Sequence, residues 1–153
     1  MSATDPFTTD LMAAAAPMRA GDKATSRVRL QALWDRIAGN NVYEFVLAHQ
    51  MADAQDDLNE ELAWDLRALD SARRCTDADV QRYYPQSSMA AFWPSLHINL
   101  AEDYFKLGDL EQSRAHLALA QQTVTHLPDN PYGQLIRRGI ERLAKNLDKN
   151  GQL

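Results

Sequence analysis

The sequence predicts an all-α fold built from antiparallel helical hairpins, and three stretches carry that expectation. Between Ser95 and Ala120 two amphipathic runs meet at a tight turn. Leu96, Leu100, Ala101 and Tyr104 form one stripe at spacings of three and four, and Ala115, Leu117, Leu119 and Ala120 are expected to keep the second run apolar where it faces the first. Gly108 supplies the left-handed conformation that ends the first helix, and Asp109 caps the second by accepting from its leading amides. A weaker copy of this hairpin lies upstream, from Phe45 to Leu69. A third signal is the stripe of Tyr132, Leu135, Ile136, Ile140, Leu143 and Leu147 near the end of the chain.

Taken in order, residues 1–20 mix Thr, Asp, Pro and Ala and are expected to hold a frayed tail or one short helix; a single helical domain is expected over 21–150. Leu30, Leu33, Trp34 and Ile37 make a helix stripe within 25–37, opposed by Arg27, Arg29, Asp35 and Arg36, and Gly39-Asn40-Asn41 breaks it. The first hairpin occupies about 42–74. Thr76 to Asp79 reads as a capping box that opens a short helix reaching about Tyr83, and 84–88 reads as a linker. The second hairpin occupies about 93–127, with Pro94 in its first turn, where a missing amide does no harm. Leu127 to Pro131 stops one helix and starts another, with Asn130 as cap. The last helix, 131–147, has a basic face opposite its apolar stripe. The expected total is about seven helices.

Length, charge and cysteine content bound the class. At 153 residues the chain has room for a real core, and no apolar run approaches the ~20 residues that cross a bilayer. The first basic residue is Arg19, after Asp5 and Asp10, which is the wrong polarity for a secretory signal. Cys75 is the only cysteine, so no intrachain disulfide forms, and a cytoplasmic location is expected. The net charge of −5 is uneven: residues 44–70 carry eight acids against the single base Arg67, whereas five bases oppose two acids from Pro131 onward. One basic helix beside an acidic body is a poor footprint for a polyanion, so neither nucleic acid nor membrane is an expected partner.

The downstream hairpin resembles one tetratricopeptide repeat, in its Leu100-Ala101 pair, its aromatic residues, Leu107-Gly108-Asp109 and a later small residue. The upstream stretch from Asp56 to Leu69 is similar to the same turn and second helix, ending in Ala68-Leu69. It departs from the pattern in three places: Asp56 stands where the turn glycine belongs, and Glu61 and Asp65 occupy places usually small or apolar, unless a shift of one residue puts Ala63 at the close contact. The resemblance implies a short right-handed stack of hairpins closed by a solvating last helix, interrupted by an insertion of about 20 residues between the repeats. It also implies a concave groove lined by first helices, with a floor of Tyr43, Val46, Gln50 and Asp53, then Ile98, Glu102, Phe105 and Lys106. Relatives that grip chaperone carboxylates use several cations there; here Lys106 stands alone among these residues. The expected partner is therefore a protein or peptide segment with basic and apolar residues. The alternative is a groove filled by the chain's own N-terminal segment or linker.

The expected function is non-catalytic: a cytoplasmic protein-binding adaptor or regulator without cofactor, in the degenerate style of bacterial regulatory repeats. The alternative is a small-molecule or metal-dependent helical enzyme using His49, Asp53, His97 and Glu102, since imidazole and carboxylate groups from two helices can hold a divalent ion. Against it, the spacing matches no established helical metal motif, and no phosphate loop, nucleophile elbow or paired-cysteine motif is present. Cys75, His116 and His126 carry no expected chemistry, and Trp64 and Trp93 fit the core better than an interface. A homodimer in which one stack closes another is a third expectation.

Overall fold

The computed structural model describes residues 5–37 and 39–151, and they fold as eight α-helices with two short 3-10 turns and no strand. Packing divides the chain into two compact units, 1–88 and 89–153, with the boundary at the end of the expected linker.

The first unit holds α1 (Pro6–Arg19), α2 (Lys23–Trp34), α3 (Asn41–Asp53), α4 (Leu58–Arg73) and the short α5 (Asp77–Gln81). Of the tail or short helix expected at the start, the described residues take the helix, the 14-residue α1, which packs along α2 as a hairpin. Local chemistry explains it. Asp5 caps α1 by accepting from the Thr8 amide at 3.0 Å, and Pro6 sits in the first turn. Gly21, at φ 91°, reverses the chain, and the Asp22 amide donates back to the Pro17 carbonyl at 2.9 Å. The Asp22 carboxylate then caps α2 through the Thr25 amide.

A second hairpin, α3 with α4, follows the same plan, with Asn40 capping α3 and Asp57 capping α4. Asp5 and Asn40 are 35 positions apart, as are Asp22 and Asp57. The caps of the two hairpins thus recur at one spacing, and α2 packs against α3. Ala48, Ala68 and Ala72 are fully buried, and their lack of bulk allows close helix contact. Asp56, expected in the place of a turn glycine, adopts no left-handed backbone: among the described residues, only Gly21, Gly39 and Gly108 have positive φ. Instead its exposed carboxylate pairs with Lys23 at 3.6 Å and Arg27 at 3.2 Å. The expected capping box closes on both sides, Thr76 to Asp79 and back.

The second unit holds α6 (Trp93–Lys106), α7 (Leu110–Thr123) and α8 (Pro131–Gly151), with Pro94 in the first turn of α6. Gly108, at φ 84°, and the Asp109 cap make the expected turn, with the Asp109 amide returning to the Tyr104 carbonyl at 2.9 Å. One face differs from expectation. Ala115 and Leu119 of α7 are exposed, whereas Leu117 and Ala120 turn inward as expected and Ser113 joins them. The buried Ser113 hydroxyl donates to the Ala101 carbonyl at 2.7 Å, which satisfies a polar group shut away from water. The stripe of α8 is also narrower than expected. Ile140, Leu143 and Leu147 are buried against Ile98, Ala101, Leu117 and Ala120, whereas Tyr132 and Leu135 are exposed.

Candidate functional site

The sequence-predicted groove residues fall four in each unit, and each group has its own surroundings. On α3, Val46 and Gln50 are half-buried and Asp53 is exposed, along one helix face. Tyr43 continues that face but is covered from both sides. The Phe7 ring stacks on it with centroids 3.9 Å apart, and the Tyr83 ring tilts against it at 4.7 Å. Its hydroxyl donates to Asp5 at 3.3 Å, while the Asn40 side-chain amide donates to the Tyr83 hydroxyl at 3.1 Å. The start of α1 and the turn after α5 thus cover Tyr43, a position expected as open floor. Burial, followed by the Asp5 carboxylate, pushes the Tyr43 hydroxyl up to about 12, so it stays protonated at neutral pH. Beside this cluster lies an open cleft of about 270 Å³ lined by Asp5, Asp10, Arg36 and Tyr43.

His49 lies one turn before Asp53 and faces two carboxylates. Its Nε2 is 3.9 Å from Asp53 and its Nδ1 is 3.9 Å from Asp65, which is 5% exposed. Both separations exceed hydrogen-bond length, so these are contacts of proximity to two carboxylates. Asp65, an oddity in the repeat pattern, is thereby placed against a histidine of the neighbouring helix.

In the second unit the expected floor is largely covered. Ile98 belongs to the core, 3% exposed, and Phe105 packs at its edge, because α8 lies along that face of α6. Glu102, Phe105 and Lys106 line a cleft of about 150 Å³ together with Arg142, Leu143 and Asn146 of α8. His97 and Glu102 point to different neighbours. Glu102 lies beside Gly139 of α8, whereas His97 meets His116 of α7, with Nδ1 atoms 3.1 Å apart. Five positions along a helix are about 140° around it, so the sequence pairing of these two as ligands of one ion is not met within this unit. Among the described residues, no group of three or more His, Cys, Asp or Glu side chains is placed to hold a metal ion.

Sequence reasoning passed over Phe7 and Tyr83, which decide the environment of Tyr43, and Arg142, which joins the Lys106 cleft. Identical Gly-Asp turns at Gly21-Asp22 and Gly108-Asp109 were the available signal for the first hairpin, and hence for Phe7. Trp64 is a core residue, edge-on to Trp34 at 5.0 Å with Arg67 over its face. Burial pushes the Cys75 thiol up to about 11, which leaves little thiolate at neutral pH. No helix among the described residues is long and apolar enough to cross a membrane. Comparison with protein-family models, curated proteins and solved structures found no match.

Proposed function

We propose that this chain is a non-catalytic protein- or peptide-binding adaptor of tetratricopeptide-like build, acting in the cytoplasm. The observation that supports it most is the 35-residue recurrence of capped hairpins, Asp5 and Asp22 followed by Asn40 and Asp57. Repeated hairpins of this length present an extended side-chain surface rather than an enclosed pocket. With Tyr43 covered, the binding surface on the first unit is the Val46, Gln50 and Asp53 face of α3, beside the acid-rich α4. Its partner is a segment with basic and apolar residues, attracted by the acids of 44–70 and held by apolar contact.

The test is affinity purification from the native cell, wild type against Asp53→Lys. A partner held by the wild type and lost by a folded variant supports the adaptor reading; partners held equally by both remove this face from it.

A further inference from the structure

We propose that the basic face of α8 docks onto the acid-rich end of the α3–α4 hairpin of a second copy of this chain. The inference rests on the adaptor reading above, for which it names a partner. α8 has two faces with different fates. Ile140, Leu143 and Leu147 are buried against α6 and α7, whereas Leu135, Arg138, Arg142, Lys145 and Lys149 are exposed. Those five recur at spacings of three and four, so they form one stripe along about 21 Å of helix. The four bases border an open cleft of about 340 Å³, with room for opposing carboxylates. Leu135, 58% exposed, gives the stripe an apolar end.

The occupant follows from the chemistry of the chain itself. One apolar residue followed by four cations is the kind of basic and apolar segment that the α3 surface calls for. On α3, Val46, Gln50 and Asp53 also run from an apolar end to a charged one, and the exposed Asp57 and Glu60 follow at the start of α4. Lys23 and Arg27 hold Asp56, so it is not counted among the acids on offer. The match is local: residues 44–70 carry eight acids against one base, and residues 131–153 carry five bases against two acids. At a net charge of −5 two copies repel as wholes, but that repulsion is screened beyond about 8 Å at physiological ionic strength. Charges brought into contact are screened far less, so local complementarity decides. Exposed ion pairs are individually weak, which makes the association reversible and salt-sensitive. Docking face and occupant are different surfaces, so each copy can both give and receive.

Sedimentation equilibrium of the full chain, from micromolar to sub-millimolar concentration, reads the association. Expected is a mass that rises with concentration at low salt, and a Kd weakened about tenfold or more at about 1 M salt. Two charge-reversed variants separate the halves: Arg138→Glu with Lys145→Glu keeps the acids, and Asp53→Lys with Glu60→Lys keeps the bases. All four positions are exposed, so both variants are expected to melt within a few degrees of wild type. Each alone is expected to be monomeric, and their mixture to form a one-to-one complex. Wild type that stays monomeric overturns the proposal, as does association that salt or both variants leave unchanged, or a mixture of folded variants that stays monomeric. A monomer that binds phosphatidylserine vesicles through α8 gives that face to an anionic membrane and likewise overturns it. The adaptor reading is judged separately: a monomeric wild type whose α3 still binds basic, apolar peptides loses this inference alone, and one that binds no such peptide loses both.

Discussion

Ser113 donates its hydroxyl proton to the carbonyl oxygen of Ala101 across 2.7 Å, at a point where α7 and α6 lie in direct contact and water is excluded. Ser113 is the fourth residue after the capping Asp109. Ser26 is the fourth after the capping Asp22, is equally buried, and accepts from the Met18 amide at 2.9 Å. Two hairpins in different units thus use one device: a glycine reversal, an aspartate cap, and a small hydroxyl residue one turn on that permits close contact and pairs with the opposite backbone.

Replacing Ser113 separates the two parts of that device. Ser113→Ala keeps the contact and loses the hydrogen bond, and is expected to cost about 1 kcal/mol. Ser113→Leu forces the helices apart and is expected to cost about 1–3 kcal/mol beyond that. Urea denaturation measures both; equal losses would mean that contact distance is not limiting.

Two glycines of α8 give opposite expectations. A Cβ on Gly133 would fall inside the Pro128 carbonyl oxygen, in a turn that Arg137 holds by donating to the Leu127 and Pro128 carbonyls at 3.2 Å each. Gly133→Ala is therefore expected to destabilise by about 2–3 kcal/mol. A Cβ on Gly139 meets Glu102 Oε1 at 3.7 Å and Ile98 at 3.9 Å, ordinary contact distances. Gly139→Ala is expected to be neutral or to stabilise by up to ~1 kcal/mol through helix propensity. Thermal melts of the two variants check the contrast.

Stability is expected to fall at both ends of the pH scale, for opposite reasons. Tyr43 and Cys75 have raised values in the fold, so their contribution is complete below the ordinary values, 10 and 9. It is lost as pH rises toward about 12 and about 11 respectively. Asp22 and Asp79 are lowered, chiefly by hydrogen bonds from Thr25 and Thr76, so their contribution is present above the ordinary carboxylate range and lost as pH falls through their folded values. Urea melts across the alkaline range should show Tyr43→Phe flattening the decline above pH 10; an unchanged slope would contradict the assignment. On the acid side, Asp22→Asn should flatten the decline in the same way.

How far the sequence revealed this arrangement depended on how local each signal was. The Gly108-Asp109 turn, the Thr76 capping box and the Asn130-Pro131 start are decided within a few residues, and each appears where the residues indicate. On α7, Leu117 and Ala120 face inward as the apolar pattern indicates, but Ser113 and His116 also face α6 and Leu119 faces solvent, which apolarity alone does not indicate. Pro17 and the Thr-rich start leave α1 undecided between tail and helix, although Gly21-Asp22 repeats the downstream turn. The covering of Tyr43 by Phe7, and the meeting of His97 with His116, depend on helix-pair register, which spacing along one helix does not reveal.

The most direct test of the binding account is selection of the chain against a random peptide display library, followed by hydrogen exchange with the selected peptide. The account predicts enrichment of peptides combining Lys or Arg with apolar residues, protection centred on Val46 to Asp53 of α3, and weakened binding by Asp53→Lys. Enrichment of acidic peptides, no enrichment, or protection that leaves α3 unchanged would contradict it.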